Sequence, residues 1–457
     1  MHNADKQPSS FSHPLAMVRY LAGWSYQGLV DAIARQATRM PHIGNMAARR
    51  EKAWRWEHWG VVPDHDTQLA LAALLAVPDE QVVRCPWPRW LPTGDSIPTD
   101  FPWTGAGSLA ALADVLERAM LDRRGFIVMS GGVLTALADQ WLSVEPEKIT
   151  AVTTGRSRVD GEVVGWIEDR IPLLRRMDDQ LGGEQLRHVV DAELRLVGGL
   201  LAESSYSSAV GARLYAVSAE LGQLAGWVSF DAGLHGAAQR YYVAALHAAH
   251  AAADRQLGSN VLAGMSLQSA TVGEPRDGVI LAQRACHGAA RVATPRVRAM
   301  LASREARAHA LAGDRSACAV ALGRAEEALG QAHRGQDDPA WIYYFDEAEL
   351  AAQAGACWLD LNKSREAEER LGEALRIQDP SYIRDRTLYH IRLASARLAL
   401  NDVDYACTLA IDAVGLARRG NSPRSLAAIK EFRRGLDPWR REPRVRELDE
   451  ALADFAA

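Results

Sequence analysis

Four cations crowd one short stretch of the chain: Arg49, Arg50, Lys52 and Arg55. Arg49, Lys52 and Arg55 stand at i, i+3 and i+6, along one helical face, while Ala53 and Trp56 can pack inward. Such a face neutralises phosphates and, in a major groove, hydrogen-bonds base edges. Arg49 and Arg50, near the start of a helix expected over about Asn45 to Glu57, are the candidates for base edges or phosphates. Lys52 and Arg55 are the phosphate clamps, and Asn45 completes the set. Ser25, as N-cap, with Tyr26 and Gln27 opens an earlier helix whose free N–H groups and dipole favour a phosphate. On an arbitrary helix the same charges would be a solvated face, so the surroundings must decide.

Other chemistry is sparse. The chain has no Gly-x-x-x-x-Gly-Lys loop, no Gly-x-Ser-x-Gly elbow and no His-Glu-x-x-His, so no enzymatic activity, cofactor or metal is expected. His247, His250 and Asp254, at spacings of three and four, could share a helical face and ligate a metal. Exposed histidines on an Ala-rich helix are the commoner outcome. Trp341, Tyr343, Tyr344 and Phe345, followed by Asp346 and Glu347, form the densest aromatic run in the C-terminal body. Trp341, Tyr343, Tyr344 and Asp346 are its candidate ligand-binding residues, against the competing reading that they only pack the repeats together. As a pocket, its acids would prefer a basic ligand.

The elements that must position these groups can be read from charge and punctuation. Residues 1–62 carry eight Lys/Arg against four Asp/Glu, a balance of +4 that leaves −9 for the remainder of a 457-residue chain whose total is −5. A basic end on an acidic body suits a protein that touches a polyanion at one end only. Between Pro78 and Pro102 lie six of the 19 prolines, interleaved with Trp87, Trp90 and Trp103, a linker or strap packed onto something. Beyond it Ala, Leu, Arg and Glu dominate segments of helical period, and the fold class is all-α. The expected organisation is a DNA-binding domain over 1–79, a Pro/Trp-rich linker over 80–107, a helical connecting region over 108–209, repeats over 210–420 and a helical cap over 421–457. Phe126 to Leu137, the longest strongly apolar stretch, falls short of the roughly 20 residues of a membrane span. Asp122-Arg123-Arg124-Gly125-Phe126 before it imitates an export signal but lies far from the N-terminus. Five scattered cysteines, Cys85, Cys286, Cys318, Cys357 and Cys407, suggest no disulfide framework, and a cytoplasmic location is expected.

Small or apolar residues recur at i, i+4, i+7 in five places: Ala238/Tyr242/Ala245, Gly278/Ala282/Ala285, Cys318/Leu322/Ala325, Ala367/Leu371/Ala374 and Ala406/Ala410/Ala413. Their first members are 40, 40, 49 and 39 residues apart, and Gly313-Asp314, Asn362-Lys363 and Asn401-Asp402 precede three of them as turns. This pattern resembles the tetratricopeptide repeat, with longer helices accounting for the longer period, and implies an α-solenoid. At the other end, the order of four short helices, the corner Trp56-Glu57 and the run Leu71-Ala72-Ala73-Leu74-Leu75 resemble the helix-turn-helix domain of the lambda-repressor or Xre type. Gly60 departs from that corner by one residue, and Gln36 to Gly44 is longer than the usual turn. In that reading Trp56 fills the core, Glu57 ties the corner, and Trp54 is either a core filler or a surface contact.

The two halves together resemble the ligand-responsive Xre regulators of Gram-positive bacteria with tetratricopeptide repeats. The Ala/Arg-rich composition and the segment Asp122-Arg123-Arg124-Gly125-Phe126 are similar to the actinobacterial branch, which includes negative regulators of differentiation and antibiotic production. The resemblance implies a homodimeric repressor acting on promoter operators in double-stranded DNA on the nucleoid, with a peptide, small molecule or protein sensed by the repeats. The alternative is a tetratricopeptide interaction scaffold whose helix-turn-helix is vestigial.

Overall fold

The computed structural model describes residues 13–22, 24–40, 43, 47–75, 77, 82, 87–88, 90–91, 97–118, 132–181, 183–272, 275–333, 337–420 and 422–456. Asn45, Cys85, the segment Asp122–Phe126 and much of the proline-rich stretch lie outside the described residues. The chain is all-α and divides into two compact units, one within residues 1–98, the other comprising Thr99–Arg118 and everything from Gly131 onward. Among the described residues the only strands are the two-residue parallel pair β1 (Ser157–Arg158) and β2 (Ser204–Ser205). None of the described helices is long and apolar enough to cross a membrane.

The first unit holds α1 (Pro14–Leu21), α2 (Tyr26–Ala37), α3 (Arg50–His58) and α4 (His65–Leu74). Its core gathers Leu15 and Val18 of α1, Leu29 and Ile33 of α2, Ala53 and Trp56 of α3, and Leu71 of α4. Trp90 and Leu91 are buried in the same core, and the Trp90 indole N–H donates to Gln68 Oε1 at 2.8 Å. α3 starts later than the sequence suggests: Ala47–Arg49 are not helical, and Arg49 stands at the N-cap with extended backbone. Glu57 does not tie the corner after α3. It takes two hydrogen bonds from Arg19 of α1, at 2.7 and 3.1 Å, because α1 crosses the C-terminal end of α3.

The second unit begins with α5 (Gly105–Arg118), α6 (Gly132–Ser143), α7 (Gly161–Glu168), α8 (Ile171–Leu181) and α9 (Gly183–Glu203). Five helix pairs follow: α10 (Ser208–Asp231) with α11 (His235–Ala251), α12 (Arg255–Val272) with α13 (Pro275–Ala289), α14 (Pro295–Leu311) with α15 (Arg315–Gly330), α16 (Glu347–Asp360) with α17 (Ser364–Ile377), and α18 (Ile383–Ala399) with α19 (Val403–Ala417). Each helix packs against its pair mate, and each first helix also meets the first helix of the next pair, the arrangement of an α-solenoid. α20 (Pro423–Gly435) continues the row of first helices, and α21 (Pro443–Ala456) covers α19 through buried Val445 and Leu448.

The sequence writes these pairs residue by residue. All five small-apolar sets lie on second helices and are buried there. Tyr242, the one large residue among their first and middle members in α11, fits because Gly226 and Gly264 face its ring; a Cβ at Gly226 would approach it to 2.5 Å. In four of the pairs the turn ends the first helix with a left-handed residue, Gly233, Gly313, Asn362 or Asn401, at φ between 57° and 79°. Asp314 and Asp402 then cap the second helix through the N–H of Ala317 and Tyr405. The 49-residue interval does not come from longer helices. α16 and α17 have only 14 residues each, and the excess is a segment between Gln331 and Asp346 that carries the aromatic run on a 3-10 turn, Ala340–Ile342.

Candidate functional site

α3 presents a divided surface. Ala53, Trp56 and Glu57 are buried, whereas Arg50, Glu51, Trp54, Arg55 and His58 are exposed along the opposite side. Arg49 is exposed just before the helix and Lys52 lies at the edge of the buried side. Among the described residues Arg50 meets only its neighbour Glu51, at 3.5 Å with both side chains in solvent, which contributes next to nothing to stability. Ser25 caps α2 by accepting from the N–H of Gly28 at 3.0 Å, and Gln27 donates to Asp31 at 2.8 Å and to the carbonyl of Ala48 at 3.3 Å. The start of α2 is thereby tied to the residues that lead into α3. Tyr26 is engaged in packing, its ring 3.9 Å from the Arg19 guanidinium.

Two further residues join this face. Trp54 is 38% exposed and stacks on His58 with ring centres 4.6 Å apart, and Trp59, 65% exposed, meets Trp54 edge-on at 5.2 Å. The Arg55 guanidinium lies 5.7 Å from the Trp59 ring. The signal was available in the spacing: once Ala53 and Trp56 fill the inward positions, a tryptophan two residues before Trp56 must point away.

The second candidate region is a cavity of about 350 Å³ in the solenoid. Its walls are α8, the first helices α10, α12, α14, α16, α18 and α20, and the segment before α16. Trp341, Tyr343 and Tyr344 line it; Asp346 does not, because its carboxylate is turned to cap α16 through the N–H of Glu349 at 2.9 Å. Sequence reasoning missed Arg175, Arg304, Arg307, Arg384, Arg392 and Arg424, which line the cavity beside the aromatic groups. Most lie on first helices that carry several arginines each, whereas the repeat signal in the sequence lies on the second helices.

Most of the cavity's acids already lie against neighbouring donors. Asp178 accepts from Arg384 at 2.6 Å and from the Trp227 indole at 3.1 Å. Asp179 accepts from Tyr343 at 2.5 Å and lies 3.6 Å from Arg384. Glu349 accepts from Tyr389 and from Gln353, and Glu431 stands exposed in solvent. Burial opposes the charge of Arg384, yet Asp178, Asp385, Asp231 and Asp179 raise its pKa well above the usual value. Burial pushes the Asp179 carboxyl up to about 6.

His247 and His250 are buried rather than exposed. The His247 ring stacks on Trp103 at 4.0 Å, His250 meets the same indole edge-on at 5.0 Å, and Asp254 is spent capping α12 through Leu257. Burial lowers both histidines to about 4, aided by His250 at His247 and by Arg255 at His250. Their neutral forms therefore stabilise the fold above the unfolded pKa near 6.5, and that contribution is lost as the pH falls towards 4. Asp179 has the opposite sign, since a raised carboxyl gains stability as the pH falls through 6. At 1.4 kcal/mol per pKa unit, the two histidines outweigh the one carboxyl, and these groups lower stability by about 2–3 kcal/mol between pH 7 and 5. Urea unfolding across that range is expected to show the decline, and His247→Phe/His250→Leu to flatten it.

Compared with protein-family models, curated proteins and solved structures, the chain matches none.

Proposed function

We propose that this chain is a sequence-specific DNA-binding transcription regulator, a repressor, in which α3 reads the major groove and the solenoid senses a ligand. One observation carries the reading: among the described residues Arg49 and Arg50 engage no buried group, because the buried side of α3 is filled by Ala53, Trp56 and Glu57. Cations kept in solvent beside a capped helix start supply what phosphate binding requires. As a homodimer acting on the nucleoid, the protein would set two such helices about 34 Å apart on half-sites, and a ligand that changes this spacing would release both. A second reading, an interaction scaffold working through protein partners, draws on Trp59, since so exposed an indole also suits a protein contact.

Genome-wide immunoprecipitation of the tagged protein beside Arg49→Ala/Arg50→Ala separates the two. The regulator reading expects sharp promoter peaks with a two-fold motif that vanish in the variant. With the recovered promoter fragments, the variant should bind at least tenfold more weakly, and, with two arginines lost from each of two heads, the slope of log affinity against log salt should fall by up to about 4. Peaks indifferent to the two arginines, or no peaks, would leave the scaffold reading.

A further inference from the structure

Within the cavity, five of the six arginines have partners. Arg384 and Arg175 are held by Asp178 and by Glu220, Arg424 lies 3.1 Å from Asp231, Arg307 pairs with Asp360, and Arg304 interacts with Tyr344. Arg392 is different. It projects from the middle of α18 into the cavity, and among the described residues no carboxylate, carbonyl or hydroxyl hydrogen-bonds its guanidinium. Burial, with Arg307 and Arg424 close enough to repel it, pulls its pKa down to about 10. A partly buried cation whose nearby carboxylate, Asp360, is already paired with Arg307 destabilises the empty protein, and such strain persists where a ligand relieves it.

The remaining walls describe the rest of the ligand. Trp227, Leu224, Leu388 and Ile391 offer an aromatic and aliphatic surface in the same cavity. Its volume lies at the lower end of the range for small-molecule sites, too tight for a folded partner. Guanidinium matches carboxylate and phosphate in charge and in planar hydrogen-bonding geometry.

We propose that the solenoid cavity binds a small organic acid, its carboxylate or phosphate head on Arg392 between Arg307 and Arg424 and its apolar, ring-sized body against Trp227 and Ile391. This deepens the reading of the solenoid as a sensor and rests on it for its biological meaning, though not for binding itself.

The test uses the full-length protein without DNA. Isothermal titration and thermal melting are run with 2-naphthylacetate, 2-naphthyl phosphate, 2-naphthylacetamide and 2-(2-naphthyl)ethylammonium, on the natural protein, Arg392→Met and Arg392→Gln. At least one of the two acids should bind tenfold or more tighter than the amide, the better acid identifying the head group, and the ammonium should be weakest. Both variants should lose the preference for acid over amide while melting at a higher temperature than the natural protein. That rise would not come from a residue whose role is only structural. Equal binding of acid and amide, tighter binding of the ammonium, no binding of any probe, or variants that melt lower would overturn the proposal. A protein that binds the acid but no promoter keeps this site and loses the regulator; promoter binding without acid binding does the reverse.

Discussion

Asp178→Ala should destabilise the solenoid unit by about 2–3 kcal/mol, less than the usual ~3–5 kcal/mol for stripping one partner from a buried ion pair, because Asp179 and Asp385 stay 3.6 Å from Arg384. The two side chains are only 4% and 5% exposed, so water cannot replace the carboxylate that Arg384 would lose. Arg384 also donates to the backbone carbonyl of Asp178 at 3.3 Å, which fixes where its charge sits and prevents it from turning outward. The pair joins residues 206 apart in sequence, α8 before the repeats and α18 in the fifth pair. Arg424 with Asp231, helped by Ser422 at 2.9 Å, makes a second tie between α20 and the end of α10. These contacts draw the early and late parts of the solenoid together around the cavity. Asp178→Leu/Arg384→Met removes both charges and should restore most of the lost stability, since apolar replacement of a whole buried pair is often neutral or stabilising. Urea unfolding of the three proteins checks the ordering. A loss below 1 kcal/mol in Asp178→Ala would mean that Asp179 and Asp385 alone hold Arg384 and that the tie is dispensable.

The repeats are legible because their determinants are local. An i, i+4, i+7 set of small residues, a left-handed Gly or Asn and an Asp cap lie within one helix and its turn, so spacing alone reveals them. The four-helix unit is readable for the same reason, except where a charge reaches another helix. Glu57 looked local and is not; its partner Arg19 lies 38 residues away. The cavity was nearly invisible because its walls come from helices spread over 257 residues, Arg175 to Glu431, and pairing decides which of its charges remain free. Counting the acids beside the aromatic run pointed to a basic ligand, whereas the hydrogen bonds leave an arginine uncommitted. The histidines mislead in a related way. An Ala-rich helix suggests exposure, but α11 is enclosed on nearly every side, and Trp103, far off in sequence, supplies the stacking surface.

Glu57→Ala should have a comparable effect on the first unit and, on the proposed regulator reading, should abolish DNA binding without touching any of the proposed DNA contacts. The Glu57 side chain is 1% exposed and holds Arg19 through two parallel hydrogen bonds. Arg19 in turn lies over the Tyr26 ring and donates to the carbonyl of Trp24 at 3.2 Å, so a single guanidinium fastens α1, the entry to α2 and the end of α3. Arg19 keeps 19% exposure, so the loss should fall near the lower end of the range for buried pairs, about 3 kcal/mol. A unit with so small a core has little stability to spare, and that loss is enough to melt much of it at 37 °C. Hydrogen exchange is the discriminating measurement. Residues 13–75 should lose protection in Glu57→Ala while α10 to α19 keep theirs. Arg19→Met/Glu57→Leu, which leaves no charge stranded, should recover the protection and, if α3 reads DNA, promoter binding with it. Full protection in Glu57→Ala would show that α3 is held by its apolar contacts alone, with Ala53 and Trp56 sufficient to fix the helix that carries Arg50 and Arg55.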